Sequence, residues 1–457
     1  MVVTGIPARR ARAALLTLSV VCSPVHVGCE PAPLRAPEVS ASVATTAKRP
    51  DVILVMMDTV RTDHLGLFGY AKPISPALDA LSEIATTYGR AYAQSSWTAP
   101  SVASLLTSRY PRELGVGQHP NRLPRNARTL PRVLREHGYQ TLGVSTNLFI
   151  SSRYGYETDF DRFDERWLSK GAKPTSSWVT NRALDFLREA RQEDPIFLYA
   201  HYFDPHYDYV LHRDFDAGAH IYGPNPTRTL SFLGQKLRPE LGEWDMVVSR
   251  RNYDSEIAYM DHHIGRLISG LKGLGRFDNA VVVVVADHGE EFLDHGSIGH
   301  GATVYDELIH VPLLIKAPGQ TQGAWYEAPV ALLDVAPTIV DLSGLSEEPR
   351  HLGTSLREGR QANDIFAATF RPTAKIALVR GRHKAIIDYQ ANDAWVFDLW
   401  EDPYEQHSIA AEHPELTASL LWQLERWHEG EFEPSNTHAV PLTQGEKALL
   451  RALGYGE

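Results

Sequence analysis

The sequence predicts an α/β fold: a large, mostly parallel sheet flanked by helices, followed by a smaller antiparallel sheet with a terminal helix. Three observations predict it. Val52–Met57 (VILVMM) is a continuous apolar run, which suits a strand buried on both faces. Val281–Val285 is five consecutive valines, the most strand-like segment of the chain. Between and beyond these runs, strand-like and helix-like stretches alternate from residue 51 onward, the pattern of βαβ units.

The elements follow in order. Ile196–Phe203 (IFLYAHYF) is a third strand candidate. Helical patterns occupy Ala77–Thr87, Pro100–Thr107, Leu130–His137, Asn181–Arg191 and Tyr253–Leu271. After about residue 350 the pattern changes to short strands at Ile365–Thr369, Ile376–Arg380, Lys384–Asp388 and Trp395–Leu399, then a helix from Pro414 to Trp427. This predicts a main domain over 51–350 and a smaller C-terminal subdomain and tail over 351–457.

Residues 1–29 have the features of an export signal. Arg9, Arg10 and Arg12 precede Ala13–Cys22, an apolar run too short to span a membrane. Cleavage there predicts a protein released to the periplasm or cell surface. Processing at Cys29, after Val27-Gly28, would instead leave a lipid anchor, although His26 stands where such signals usually carry Leu. Residues 30–50 are rich in Pro, Ala and Ser and are expected to form a disordered linker. The chain of 457 residues carries a net charge of −11. Loss of the leader's three arginines makes it three units more negative, which disfavours nucleic acid as a partner. An anionic substrate then requires a local source of positive charge, and a bound metal is the obvious one. Both cysteines, Cys22 and Cys29, lie in the leader, so the body has no disulfide and no cysteine metal site.

In open α/β sheets ligands sit at the carboxyl ends of the strands. The first apolar run ends in Asp58-Thr59, the valine run in Asp287-His288-Gly289-Glu290-Glu291, and the third in Asp204-Pro205-His206. Asp58, Asp287 and His288 together suit a divalent cation: Ca, Mn, Mg or Zn. Glu290 and Glu291 are expected on a solvated turn or helix face, with a place supporting the metal ligands as the alternative. In 94–111 (QSSWTAPSVASLLTSRYP), Pro100 marks a first helical turn and places Thr98 at or just before a helix N-terminus. A hydroxyl there ordinarily caps the helix. Beside a divalent metal it is also a nucleophile, with the helix N-terminus favouring charge on an attacked phosphoryl or sulfuryl group.

These stretches resemble the sulfatases of the alkaline-phosphatase superfamily. The likeness runs from about residue 51 to the end, through RPDVILVMMDTVRTDHLGLFGY, SSWTAPSVASLLTSRYP, FLYAHYFDPHYDY, YDSEIAYMDHHIGRLI, VVVVVADHGEEFLDHGSIGHGATVYDELIHVPLLI, VFDLWEDPYEQ and LRALGY. The resemblance implies a metal-dependent hydrolase of a small anionic ester. Asp58, Asp287 and His288 then match metal ligands, with Thr98 at the nucleophile position and in contact with the metal. His206 matches a substrate-binding histidine, and His300 falls where many members carry an anion-binding lysine; either would bind the ester oxygens or protonate the leaving group. His295 stands nearby as an assistant.

The departures from the family pattern carry chemistry of their own. Classical sulfatases convert a Cys or Ser in Cys/Ser-x-Pro-x-Arg to formylglycine. Here the stretch is Thr98-Ala99-Pro100-Ser101-Val102; a threonine would yield a ketone, so no formylglycine is expected, and Val102 removes a cation. Thr59 replaces a frequent second aspartate. The Lys and His of a Gly-Lys-Trp-His stretch are missing after Gly138-Tyr139, which leaves Asn147 as a neutral substitute donor. Threonine as nucleophile is similar to nucleotide pyrophosphatases and to phosphoethanolamine and phosphoglycerol transferases. Loss of cations favours a singly charged ester, a sulfate monoester or phosphodiester, over a phosphate dianion. Two alternatives to a sulfatase stay open: a phosphodiesterase or phosphoryl transferase of the same superfamily, and a binding protein on a catalytically decayed sulfatase fold.

Overall fold

The computed structural model describes residues 48–117, 121–166, 175–206, 209–217, 243–346, 352–357, 364–369 and 374–430. The leader, Cys29, the expected linker up to residue 47 and the LRALGY tail lie outside them. No helix among the described residues is long and apolar enough to cross a membrane.

An eight-stranded sheet runs in the order Ala324–Tyr326, Thr86–Tyr88, Leu313–Lys316, Val281–Ala286, Val52–Met57, Ile196–Tyr202, Gln140–Ser145, Arg162–Asp164. Only Leu313–Lys316 runs antiparallel to its neighbours. The three strands read as apolar runs are its centre, and every residue of them is buried. Their register aligns their carboxyl ends: Met57 pairs with Ala286 on one side and Tyr202 on the other. Asp58 and Asp287 are therefore the first residues past adjacent strands. Helix Glu243–Gly273 (31 residues) extends well upstream of the pattern read from sequence. The helix expected over Ala77–Thr87 stops at Ser82, and Thr86–Tyr88 becomes a strand. Two threonines and a tyrosine are poor helix formers that fit a pleated surface.

The C-terminal part is a four-stranded antiparallel meander, Ile365–Thr369, Lys375–Arg380, His383–Asp388 and Asp393–Asp398, covered by helix Pro414–Glu429. Leu420 and Leu424 seat the helix against Ile376, Leu378, Ala385 and Val396. The meander is fastened to the main sheet's loops. Ala368 N donates to Gln94 O at 3.0 Å, Ser95 Oγ donates to Ala368 O at 2.8 Å, and Thr369 Oγ1 donates to Gly301 O. Fully buried Lys384 reaches Asp306 Oδ1 at 2.7 Å and Glu405 Oε1 at 2.9 Å.

Candidate active site

Asp58, Asp287 and His288, all completely buried, each offer a ligand atom, and the three atoms lie within 4.8 Å of one another. Burial and then the neighbouring Asp58 push the Asp287 carboxyl up to about 6, the response of an acid facing another acid in low dielectric. Asp287 Oδ1 accepts from the backbone N–H of Thr59 (3.2 Å) and of His288 (2.9 Å). Its Oδ2 has no hydrogen-bond partner. His288 Nδ1 lies 2.9 Å from Gly289 O; a carbonyl only accepts, so Nδ1 carries the proton and Nε2 presents its lone pair. Burial holds this imidazole down to about 4 and hence neutral. Two carboxylates, one with a bare buried oxygen, and a neutral imidazole nitrogen fit a divalent cation. Thr59 sits at φ 59°, a left-handed conformation costly for a β-branched residue, of order 1–3 kcal/mol. That conformation aims its amide at Asp287, and Tyr253 secures it by donating to Thr59 O at 2.6 Å.

Thr98 is the first residue of the wholly buried helix Thr98–Thr107. Its Oγ1 is 3.2 Å from His288 Nε2 and 3.5 Å from Asp58 Oδ1. Ser101, one turn on, donates to Asp287 O at 2.6 Å and ties the helix to the valine strand's end. Asn147 follows strand Gln140–Ser145. Its Oδ1 accepts from Phe149 N at 2.8 Å, so the amide nitrogen must face the other way. There Nδ2 donates to Asp58 Oδ2 at 2.6 Å and lies 3.4 Å from Thr98 Oγ1.

The histidines divide into two groups. His206 and His300 meet with ring centroids 4.9 Å apart, and His300 lies 4.4 Å from His288. His300 stands between Gly299 (φ 89°) and Gly301 (φ 86°), a double left-handed turn that two glycines make accessible. His295 belongs elsewhere. Its Nδ1 pairs with Glu307 at 2.6 Å, its Nε2 faces Glu405 O at 3.3 Å, and its ring stacks on Tyr305. The structure brings Asp58, Thr98, Asn147, Asp287, His288, His300 and His206 together and turns His295 away to Glu307, Tyr305 and Glu405. Asp204 caps helix Ser176–Glu189, accepting from Ser176 N at 2.7 Å.

Glu290 and Glu291, expected in solvent, are buried. Glu290 Oε1 accepts from His300 Nδ1 at 2.9 Å and its Oε2 accepts from the Tyr209 hydroxyl at 2.7 Å, which stands in for water. His201, absent from the sequence reading, is completely buried with Nε2 3.0 Å from Asp58 Oδ2. The signal for it was an imidazole inside an otherwise apolar and aromatic strand. A cavity of about 750 Å³ is lined by Ile74, Phe215, Asp261, His262 and Arg266 and by none of the residues around Thr98.

Comparison with known proteins now bears on this arrangement. A family profile described as Sulfatase matches residues 50–345. The chain belongs to the sulfatase family. It is 24% identical over 428 residues to the uncharacterized sulfatase YidJ of Escherichia coli K12, covering 79% of this chain and 83% of that one. It is 21% identical over 533 residues to an N-acetylglucosamine-6-O-sulfatase of Bacteroides thetaiotaomicron, covering 92% and 95%. Among solved structures, one determined with its substrate D-glucosamine-2-N,6-O-disulfate superposes with a TM-score of 0.73 at 19% identity, covering 85% of this chain and 100% of that one. A phosphonate monoester hydrolase of Agrobacterium radiobacter superposes with a TM-score of 0.69 at 19% identity, covering 87% and 99%. Sulfatase-family membership makes the chain a hydrolase of that family. It also accords with the buried Asp58–Asp287–His288 set, since such proteins typically bind a metal ion.

Proposed function

We propose that this sulfatase-family hydrolase cleaves a sulfate ester by direct attack of the Thr98 hydroxyl, without formylglycine. The observation that carries the reading is the convergence on Thr98 Oγ1 of Asp58, Asn147 and His288 at the first turn of a buried helix. Asp58, Asp287, His288 and Thr98 would hold one divalent cation, which supplies the positive charge that lowers the hydroxyl pKa and polarises the ester oxygens. The chain's own residues do the rest. Asn147 Nδ2 donates to the attacking oxygen and orients it. With its pKa lowered, the Thr98 hydroxyl gives its proton to water, and the Thr98 oxygen–sulfur bond forms as the bond from sulfur to the leaving oxygen breaks. His300 and His206 bind the ester oxygens and return a proton to the leaving alcohol. Water then releases sulfate from Thr98.

Charge matching favours a singly charged ester, because neither lysine nor arginine is among the described side chains that hydrogen-bond Thr98 Oγ1. The substrate class this supports is a sulfated sugar, the ligand in one of the similar structures. A phosphoester or phosphonate is the second reading, favoured by the phosphonate monoester hydrolases of the same fold. A binding protein with decayed catalysis is the third. Export through residues 1–29, with or without a lipid on Cys29, would place the enzyme in the periplasm or at the cell surface.

Turnover of 4-nitrophenyl sulfate, phenyl 4-nitrophenyl phosphonate and bis(4-nitrophenyl) phosphate by the metal-loaded protein tests these readings, with Thr98→Ala alongside. Thr98-dependent sulfate cleavage supports the first, and a preference for phosphorus the second. No turnover above the Thr98→Ala background, on these or on sulfated monosaccharides, sinks both.

A further inference from the structure

Strand Ile196–Tyr202 is buried throughout, yet it carries an imidazole and a phenol on one face. His201 pairs in register with Met56, two residues before Asp58, so His201 and Asp58 project to the same side of the sheet. Tyr199, two residues earlier, shares that face. The contacts are continuous: the Tyr199 hydroxyl is 2.8 Å from His201 Nδ1, and His201 Nε2 is 3.0 Å from Asp58 Oδ2.

Hydrogen-bond accounting fixes the direction of this chain. Asp58 as a cation ligand is ionised and only accepts, so His201 Nε2 carries a proton and donates to Oδ2. In the neutral imidazole Nδ1 is then bare and accepts from the Tyr199 hydroxyl. Asn147 Nδ2 donates to the same Oδ2 at 2.6 Å. Two donors therefore converge on Oδ2, while Oδ1 faces Thr98 (3.5 Å) and His288 (3.8 Å), the side on which Asp287 and His288 would hold a cation.

We propose that Tyr199 and His201 are positioning residues that hold the Asp58 carboxylate as a one-oxygen ligand, with Oδ1 turned to the cation and to Thr98. The inference rests on the reading that Asp58, Asp287 and His288 hold that cation. Partners of metal ligands fix their orientation and basicity, and losing one typically weakens metal binding by about 10–100-fold.

The test is Mn²⁺ affinity by isothermal titration calorimetry on the chelator-treated full chain, with circular dichroism melts of the metal-free proteins. His201→Leu removes the donor, His201→Gln keeps an N–H donor, Tyr199→Phe deletes one hydroxyl, and Asp287→Asn serves as the ligand control. Expected are a loss of about 10–100-fold for His201→Leu, about tenfold for Tyr199→Phe, and recovery of most of the affinity in His201→Gln. Tyr199→Phe keeps the test decisive if His201→Leu fails to fold. Undiminished affinity in Tyr199→Phe and His201→Gln together with His201→Leu, or an equal loss in the Gln and Leu variants, overturns the positioning role. In those cases parental binding that Asp287→Asn abolishes leaves the cation site standing. A parent that binds no Mn²⁺ overturns both readings.

Discussion

Gly289→Ala should disable the site without touching a ligand. A Cβ built on Gly289 falls 1.9 Å from the carbonyl oxygen of Glu307, whereas ordinary contact begins near 3.4 Å, so the backbones must part by about 1.5 Å. Neither side yields easily. Gly289 N donates to Leu308 O at 2.8 Å and Glu290 N to Glu307 O at 3.1 Å, so the two segments are clamped on either side of the clash. Overpacking of this kind costs about 1–3 kcal/mol, and a backbone-to-backbone clash belongs at the upper end. Spread over 457 residues, at about 2.1 cal/mol/K of unfolding entropy each, 3 kcal/mol lowers Tm by roughly 3 °C. The larger effect is on chemistry. His288 adjoins Gly289 and bonds its carbonyl, so an ångström-scale shift there misplaces Nε2 and should lower turnover by about 100-fold. The assay is 4-nitrophenyl ester turnover together with a thermal melt. Gly273→Ala, at the end of helix Glu243–Gly273 with nothing within 4 Å of the added carbon, is the benign control. A Gly289→Ala protein that melts and turns over like Gly273→Ala would refute the reasoning.

Other consequences are checked as directly. Chelation should abolish Thr98-dependent turnover, and one of Ca, Mn, Mg or Zn should restore it. Asn147→Ala should lower kcat by about 10²–10³, the cost of one preorganised donor, with a smaller change in KM; an unaltered kcat contradicts its placement beside Thr98. Lys384→Met strands Asp306 and Glu405 in the interior and should destabilise the protein by about 3–5 kcal/mol, read by denaturant unfolding. Burial and then Glu307 push the Glu291 carboxyl up from 4.5 to about 8, so the folded protein keeps a proton that the unfolded chain gives up. That stability is whole below about pH 4.5 and drains away as pH climbs to about 8. Glu291→Gln mimics the neutral acid; its Tm should match the parent's near pH 4.5 and exceed it at pH 8.

Much of this was legible in the chain itself, for physical reasons. Buried parallel strands need unbroken apolar runs, so Val52–Met57 and Val281–Ala286 declare themselves, and the polar residues that end them, Asp58 and Asp287, are conspicuous by contrast. Thr98 was visible because Pro100 marks a first turn. Strand Gln140–Ser145 escaped as a strand because Gln140, Thr141 and Gly143 break its apolar character. The short strand Leu313–Lys316 runs against its neighbours, and nothing local encodes direction. His201 was hidden by its own strand, since a single imidazole in IFLYAHYF barely alters an apolar pattern. Glu290 looked solvated because acidic residues after a turn usually are; only its distant partners His300 and Tyr209 reveal otherwise.

The seam between the meander and the main sheet sets a limit on dissection. Gln94 and Ser95, which bond Ala368, lie just upstream of Thr98, and Gly301, which receives Thr369, adjoins His300. A fragment cut near residue 350 would lose the scaffold that shapes both the loop entering helix Thr98–Thr107 and the turn carrying His300. The meander cannot be exchanged like a cassette to alter what the enzyme recognises; a chimaera must carry these seam residues with it, and a new terminus is better placed beyond helix Pro414–Glu429 than at the apparent boundary.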